Sequence, residues 1–314
     1  MKTVFVVNPA AGQGRNNEAF VQSLENMIAR TSADASVYIT KGVCDATCFV
    51  REYCDNMGPA RFIACGGDGT LGEVLNGAVG FRDAEIGVVP MGTGNDFCRN
   101  FGYDFSNTVL QIEGDTVECD AIKYFTELDG IIHEGYCANM FNIGFDCNVA
   151  DMTSDMKKKP LISGSLAYFI SILVSLVRKK CTDMKVELDG VEHHNGKLLL
   201  TSIANGCYCG GGIKSNPLAD VSDGFINVNI IRNISRCRFI TLLPYYMKGT
   251  VLKLKGIEKY ISSKKCKSIT VTPLVGKMRL CVDGEIISAG KTRFEIVHNA
   301  FKFVVPCIRE KEVV

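Results

Sequence analysis

The sequence predicts an α/β domain followed by a second domain rich in β-strands. Through roughly residue 120, apolar runs typical of buried strands alternate with stretches of helical periodicity. This alternation favours a largely parallel sheet with helices packed on it. Beyond that point, short β runs separated by turn residues dominate. At 314 residues the chain is long enough for about two domains.

In the predicted α/β domain, residues 1–122, strand and helix signals alternate. Strand signals lie at 3–7, 35–39, 61–65 and 86–89, and helical periodicity lies at 17–29, 45–55 and 71–79. The first, third and fourth of these strands end in loops that contain glycine. Because the carboxyl ends of parallel strands share one edge of a sheet, we expect these loops to lie side by side where ligands bind in such folds.

The predicted second domain, residues 123–300, is assembled from short β runs at 185–188, 197–203, 225–231, 268–273 and 277–282. A last run at 301–305 falls in a C-terminal segment, 301–314, that is expected to pack back on the first domain. An apolar stretch at 161–177 places Gly164, Tyr168, Ser171 and Ser175 on one helical face. That polarity predicts a helix packed in a water-soluble protein rather than a membrane span.

Charge and cysteine content limit the classes of protein to consider. The chain has 35 Lys and Arg against 34 Asp and Glu, so it lacks the basic excess that a nucleic-acid partner would require. Its fifteen cysteines are odd in number and include no Cys-x-x-Cys pair. The apolar run at the start is too short for a secretory signal. We therefore expect reduced thiols in a cytoplasmic protein.

The strongest local signal is the loop Gly66-Gly67-Asp68-Gly69-Thr70, which follows a buried strand and opens into a helix. Glycines bring backbone N–H groups close to a ligand, and the unsatisfied amides of a helix N-terminus favour an anion such as phosphate. Asp68 would repel phosphate unless Mg²⁺ stood between them. The alternative is a tight strand-to-helix turn that needs glycine only for its backbone conformation.

Two further loops repeat this arrangement. Gly92-Thr93-Gly94-Asn95-Asp96 follows the fourth strand and supplies a second carboxylate, and Asn8-Pro9-Ala10-Ala11-Gly12 follows the first. The Gly-x-x-x-x-Gly-Lys-Ser/Thr loop is absent. The three loops therefore predict a nucleotide site of a different design.

In order and spacing, these motifs resemble the diacylglycerol kinase catalytic-domain family, and most closely the soluble bacterial diacylglycerol and related lipid kinases. The likeness continues to about residue 305 through Asn205-Gly206 with Gly210-Gly211-Gly212, Asp223-Gly224 and Val282-Asp283-Gly284-Glu285. It implies an α/β nucleotide-binding domain of the NAD kinase and diacylglycerol kinase type and a β-sandwich as the second domain. It also implies transfer of the γ-phosphate of ATP to the hydroxyl of diacylglycerol or a related lipid, which turns diacylglycerol into phosphatidate.

The resemblance assigns roles to individual residues. The ATP contacts that it implies are Asn8, Thr40, Gly66, Gly67, Asp68, Gly69, Thr70, Leu71, Gly72 and Thr93. It implies that Asp68, Asp96 and Asp120 shape a magnesium–phosphate network. Asp120 also ends a β run, so a plain capping residue is the alternative there.

For the second domain, the resemblance makes Glu285 the general base that takes the proton of the acceptor hydroxyl. It further implies a structural Mg²⁺ held by the carboxylate of Asp223 and the main-chain oxygens of Asp220 and Phe225. Both motifs contain an Asp-Gly pair, which is a common turn dipeptide. A turn without further function is therefore the alternative at each place.

The resemblance leaves the acceptor and one phosphate contact open. Close relatives often have Lys where this chain has Gln13, and Arg15 would supply the charge in a different geometry. Another lipid, such as phosphatidylglycerol or a sphingoid base, and a soluble acceptor such as NAD are alternatives to diacylglycerol. A non-catalytic nucleotide- or lipid-binding protein is the third interpretation, and the presence of all four predicted acids disfavours it.

The implied lipid substrate predicts work at the inner face of a membrane, and kinases of this type are commonly homodimers. Three basic clusters, at 157–159, 178–180 and 264–267, are candidates for contact with anionic lipid. Solvated ends of a core helix are the alternative for the first two.

Overall fold

The computed structural model of the protein describes residues 1–14, 17–31, 34–144 and 181–306. Four of the sequence predictions lie outside the described residues: the helix at 161–177, the basic clusters at 157–159 and 178–180, and Arg15.

The chain divides into two compact units. Unit 1 comprises Met1–Cys119 and the chain from Asn299 onward, and unit 2 comprises Asp120–His298. The chain therefore passes from one unit to the other twice, after Cys119 and after His298.

Unit 1 is built on a parallel sheet. Its strands are β1 (Thr3–Val7), β2 (Ala35–Ile39), β3 (Arg61–Gly66), β4 (Glu85–Pro90) and the end of β15 (Thr292–Val305). They lie in the order β15–β4–β3–β1–β2, and each adjacent pair is parallel. Every residue of β1 is buried, as expected for a strand covered on both faces.

Helices connect these strands. They are α1 (Asn17–Thr31), α2 (Asp45–Met57), α3 (Asp68–Ala78) and α4 (Thr108–Ile112), with single 3-10 turns at Ala11–Gly14 and Cys98–Asn100. α2 and α3 pack tightly, because a Cβ atom on Gly77 would lie 2.7 Å from the Val50 side chain. The helices predicted at 17–29, 45–55 and 71–79 are thus all present.

A cluster of five phenylalanine rings joins the end of β15 to the rest of unit 1. Phe303 is fully buried, and its ring centroid lies 4.9 Å from that of Phe97 and 4.8 Å from that of Phe101. Phe105 and Phe301 complete the cluster. Rings at these separations bury large apolar areas, so residues close to the end of the chain contribute to the core of unit 1.

Unit 2 is an antiparallel β structure. Its strands are β5 (Asp115–Leu128), β6 (Ile131–Cys137), β7 (Met140–Gly144), β8 (Thr182–Leu188), β9 (Val191–Ala204), β10 (Ile226–Arg232), β11 (Ile261–Cys266), β12 (Ser268–Pro273), β13 (Met278–Val282), β14 (Glu285–Ala289) and the first part of β15. Hydrogen-bonded neighbours follow the order β14–β13–β7–β9–β8–β12–β15, with β10 beside β9 and β11 beside β10. Helix α5 (Arg236–Met247) lies between β10 and β11 in sequence.

The two units confirm the predicted fold class, an α/β unit and a β-rich unit. In the part of the chain that the structure describes, no helix is long and apolar enough to cross a membrane.

Phe303→Ala should lower the free energy of unfolding of unit 1 by about 3–5 kcal/mol, because it leaves a cavity among packed rings. Phe303→Leu keeps most of the buried volume and should cost about 1.5 kcal/mol or less. Urea titrations followed by circular dichroism measure both. If Phe303→Ala unfolded like the wild type, the end of β15 would not belong to this core.

Candidate active site

Four loops leave the carboxyl ends of the parallel strands at one edge of unit 1. They follow β1 at residues 8–14, β2 at 40–44, β3 at 67 and β4 at 91–97. Main-chain hydrogen bonds hold neighbouring exits together: Thr40 N–H donates to Val7 O at 2.9 Å, and Met91 N–H donates to Gly66 O at 2.8 Å. The predicted nucleotide loops of unit 1 are thus brought to one edge.

Gly67 and Gly92 bring the loops after β3 and β4 into backbone contact. A Cβ atom on Gly92 would lie 2.5 Å from the Cα atom of Gly67, so a side chain there would push one loop away. A Cβ atom on Gly66 would overlap the side chain of Thr70. α3 begins at Asp68, directly after Gly67, so its first amides, which lack partners within the helix, lie at the sheet edge.

Asp68 and Asp96 form an acidic pair at this edge. Asp68 Oδ1 accepts hydrogen bonds from the N–H groups of Asp96 at 2.8 Å and Phe97 at 3.4 Å. A Cβ atom on Gly94 would lie 2.8 Å from Asp68 Oδ2 and 3.2 Å from Asp96 Oδ2, so the two carboxylates flank this glycine. Burial, reinforced by the charge of Asp96, raises the pKa of Asp68 to about 6. Two carboxylates that repel each other in this way suit a divalent cation.

Asn8 links the loop after β1 to the start of α3. Its Nδ2 donates to Thr70 Oγ1 at 3.1 Å, and its Oδ1 accepts from Ala10 N–H at 2.9 Å. Gly12 in the same loop has a φ of +62°, which favours glycine. The side chains of Asn8 and Thr70, both predicted nucleotide contacts, are therefore held together.

The other predicted nucleotide contacts differ in the solvent exposure of their side chains. Thr93 is exposed on the loop after β4, and nothing lies within 4 Å of a Cβ atom built on Gly72. The side chains of Thr40 and Leu71 are buried. Leu71 therefore offers a ligand chiefly its main chain.

Asp120 lies in β5 and is fully buried in unit 2. Its Oδ2 accepts from Gly224 N–H at 2.7 Å, and its Oδ1 lies 2.7 Å from His298 Nδ1. Asn205 Nδ2 donates to the main-chain oxygen of Asp120 at 2.7 Å. This acid therefore joins three segments of unit 2. Because β5 continues to Leu128, Asp120 does not end a strand, and the alternative of a plain capping residue is wrong.

The predicted metal loop next to Gly224 is ordered by its own side chains. Asp223 Oδ1 accepts from Phe225 N–H at 3.0 Å, and Asp223 Oδ2 forms an ion pair with Lys265. Asp220 Oδ1 accepts from the N–H and hydroxyl groups of Ser222, both at 3.0 Å. One carboxylate with carbonyl oxygens is a donor set that suits Mg²⁺, but here Lys265 competes for the carboxylate.

Among the described residues, no group of three or more His, Cys, Asp or Glu side chains is placed to hold a metal ion. Mg²⁺ that is bound together with phosphate commonly uses only one or two carboxylates. The Asp68–Asp96 pair fits that mode.

Glu285 is the exposed first residue of β14. The preceding turn has φ values of +43° at Asp283 and +99° at Gly284, as in a type I′ hairpin. Asp283 also fastens this turn, because Oδ1 accepts from Met140 N–H at 2.9 Å and Oδ2 from the Cys137 thiol at 3.1 Å. Among the described residues, the side-chain hydrogen bonds that hold this turn come from Asp283 and not from Glu285.

Three residues near these groups were missed in the sequence. Arg99 Nε lies 3.5 Å from Asp96 Oδ1, and its position three residues after Asp96 was a usable signal. His298 contacts Asp120 from 178 residues away, and Glu73 contacts Cys44 from 29 residues away. No local pattern reveals contacts of that kind.

Comparison with known families agrees with this geometry. Residues 2–124 match the diacylglycerol kinase catalytic domain, and residues 139–305 match the YegS C-terminal NAD kinase beta sandwich-like domain. The second match spans 167 of the 314 residues. The chain belongs to the diacylglycerol kinase-like family of bacterial lipid kinases.

Curated members of this lipid kinase family align along most of the chain. A diacylglycerol kinase of Mycobacterium tuberculosis is 28% identical over 276 residues, covering 86% of this chain and 84% of the relative. A diacylglycerol kinase of Bacillus subtilis is 26% identical over 282 residues, covering 89% and 88%. The family resemblance of the motifs is thereby confirmed.

Solved structures share the fold of this chain. A diacylglycerol kinase from Bacillus anthracis superposes with a TM-score of 0.66 at 20% identity and covers 96% of both chains. Yeast NADH kinase complexed with NADH reaches 0.52 at 10% identity, covering 98% of this chain and 84% of that one. Both comparisons support the predicted NAD kinase and diacylglycerol kinase type of fold.

Asp68→Asn should stabilise the ligand-free protein at neutral pH. The folded-state pKa near 6 lies above the ordinary value of about 4, so the folded protein holds this proton more tightly than the unfolded chain does. Ionisation of Asp68 therefore costs no stability below about pH 4. The cost grows between about pH 4 and pH 6, and above that it stays at about 2–3 kcal/mol. Asn keeps the Oδ1 acceptor and removes the charge.

Urea unfolding at pH 4.5 and pH 8 tests this. Asp68→Asn should gain stability at pH 8 and little at pH 4.5. In the control, Asp104→Asn, hydrogen bonds from Ser106 lower the pKa of the replaced carboxyl, so no gain is expected at pH 8. Equal stability of wild type and Asp68→Asn at pH 8 would contradict the strained acidic pair.

Proposed function

We propose that the protein is an ATP-dependent lipid kinase that transfers the γ-phosphate of ATP to the hydroxyl of diacylglycerol or a related lipid. With diacylglycerol the product is phosphatidate. The observation that carries the proposal is the Asp68–Asp96 pair beside the glycine-lined N-terminus of α3. Relatives named diacylglycerol kinase favour that lipid among the candidate acceptors.

The loops of unit 1 would bind the triphosphate. The first amides of α3 would donate to phosphate oxygens, and the joined side chains of Asn8 and Thr70 would line the approach. Asp68 and Asp96 would hold Mg²⁺, which when bound offsets the negative charge of the phosphates. The raised pKa of Asp68 supports this role, because a carboxyl group that ionises unwillingly alone gains most from a cation.

Phosphoryl transfer depends on positioning and charge neutralisation more than on covalent help from the protein. Glu285 would accept the proton of the lipid hydroxyl. The hydroxyl oxygen then forms a bond to the γ-phosphorus, while the bond between the γ-phosphorus and ADP breaks. Its exposed carboxylate, which the hairpin turn does not use, supports this assignment.

Asp120 would help to shape the magnesium–phosphate network. Its link to Gly224 places it beside the loop that would carry a structural Mg²⁺ on Asp223, Asp220 and Phe225. Such an ion would have to displace Lys265 from Asp223.

The alternatives differ in the acceptor or in the reaction. Phosphatidylglycerol and sphingoid bases are other lipids with a free hydroxyl, and NAD is a soluble acceptor. A non-catalytic binding protein would not need the four acids Asp68, Asp96, Asp120 and Glu285.

We further propose that the kinase works at the inner face of the membrane as a homodimer. In the described residues the basic cluster at 264–267 is one candidate lipid contact, although Lys265 is paired with Asp223.

The product identifies the acceptor directly. Radiolabelled ATP, Mg²⁺ and a mixed lipid extract should yield one labelled lipid on thin-layer analysis, and purified diacylglycerol should yield labelled phosphatidate. Circular dichroism should show that Asp68→Asn is folded. This variant should retain less than about a tenth of the wild-type rate, which is an increase of more than about 1.4 kcal/mol in the activation free energy. In a parallel reaction with NAD in place of the lipid, label transferred from ATP to give NADP would overturn the proposal, and so would the absence of any labelled lipid.

Glu285→Gln should lower kcat by about 10²–10⁴, the usual effect of removing a general base, with the affinity for ATP nearly unchanged. Glu134→Gln, at another exposed acid of unit 2 that pairs with Lys123, is the matched control and should keep full activity. Loss of ATP binding at constant kcat would instead assign Glu285 to the nucleotide site.

A further inference from the structure

The loop after β2 reaches α2 through a strained residue. Cys44 has a φ of +63°, which is uncommon for a residue with a side chain. The Cys44 side chain provides no cap for α2, which begins at Asp45. The first amides of a helix nevertheless need hydrogen-bond acceptors. For α2, a different helix supplies these acceptors.

Glu73 of α3 supplies these acceptors with both carboxylate oxygens. Its Oε1 accepts from Cys44 N–H at 3.0 Å, and its Oε2 accepts from Ala46 N–H at 3.1 Å. Thr47 Oγ1 adds a hydrogen bond to the main-chain oxygen of Glu73 at 2.9 Å. One side chain thus holds the strained end of the loop and places a negative charge at the N-terminus of α2, where the helix dipole favours it.

Asp45 fixes the other end of the same loop. Its Oδ2 accepts from Lys41 N–H and from the Tyr38 hydroxyl, both at 2.9 Å. These bonds stay within the β2–α2 connection. The Glu73 bonds, in contrast, tie the connection to α3, the helix that starts at the glycine-rich loop.

The strand order gives this tie a functional meaning. The acidic pair lies between the loops of β3 and β4, whereas the loop with Thr40 lies on the other side, beyond β1. Strands lie ~4.8 Å apart, so the β2 and β3 loops are separated by roughly 10 Å. A nucleotide whose phosphates lie at the start of α3 can extend over β1 toward residues 40–44.

We propose that Glu73 is a positioning residue for the nucleoside part of ATP. It holds residues 40–44 at a fixed distance from the phosphate-binding start of α3. This inference rests on the proposed nucleotide site in unit 1 and adds to it a residue that acts through its hydrogen bonds to the loop. Glu73 acts through the loop, so its loss affects binding of the nucleoside and leaves the phosphate contacts in place.

Calorimetric titration with two probes separates these effects. Gln offers one acceptor oxygen instead of two, so Glu73→Gln breaks at least one bond to the loop. The variant should bind ADP about tenfold more weakly, equivalent to about 1.4 kcal/mol. Inorganic tripolyphosphate, which has no nucleoside, should bind within about twofold of wild type. In turnover, the KM for ATP should rise while kcat at saturating ATP stays within about twofold.

Arg51→Met is the matched control on the same pair of helices. Arg51 joins α2 to the far end of α3 through the main-chain oxygens of Asn76 at 3.1 Å and Val79 at 3.3 Å. Its replacement should loosen the helix pair without changing the affinity for either probe. An ADP-selective loss in Arg51→Met would assign the effect to helix packing in general and overturn the role of Glu73.

Rescue gives a second test. Gly adopts a φ near +63° without steric strain, so the double variant Glu73→Gln with Cys44→Gly should recover part of the ADP affinity. The double variant also keeps the test usable if Glu73→Gln alone does not fold. Equal losses for ADP and tripolyphosphate, or no recovery in the double variant, would overturn the proposal. A wild-type protein that binds neither probe would instead overturn the proposed function.

Discussion

Repulsion between Asp68 and Asp96 is the constraint that shapes the ligand edge of unit 1. Two carboxylates can approach there only because Gly94, between them, has no side chain and because main-chain N–H groups point at Asp68. The contact between Gly67 and Gly92 brings the two acid-bearing loops together. The sheet edge therefore holds two neighbouring carboxylates whose repulsion is unfavourable until a cation binds. Such locally destabilising arrangements are common at functional sites.

The second unit treats a buried acid differently. Asp120 is fully buried, yet its carboxylate accepts a hydrogen bond from Gly224 N–H and lies 2.7 Å from His298 Nδ1. Asn205 donates to the main-chain oxygen of the same residue. A buried polar group is tolerable when it is hydrogen-bonded. One acid thus arranges a local network in unit 2, while the pair in unit 1 stays poised for an external partner.

Local sequence patterns predicted most of unit 1 and parts of unit 2. The α/β alternation was readable because buried parallel strands are apolar throughout, and the glycine loops were readable because close backbone approach excludes other residues. Strands such as β6 (Ile131–Cys137) were missed because their apolar and polar residues do not alternate: Ile131, Ile132, His133 and Glu134 are all exposed. β15 appeared in the sequence only as a run at 301–305, since His298 and Asn299 interrupt its apolar pattern and Asn299 has a φ of +51°. The partners of Asp120 and Glu73 depend on tertiary contact, which no local pattern encodes.

The course of β15 (Thr292–Val305) bears on how the protein forms in the cell. Its first part pairs with β12 and its last part pairs with β4. A ribosome must therefore translate the whole second unit before the sheet of the first unit receives the strand beside β4. Until then the edge of β4 and the rings of Phe97 and Phe101 have no Phe303 to cover them. Unit 1 is started first and completed last, so chaperones would meet it as a nascent chain with an open, aggregation-prone edge.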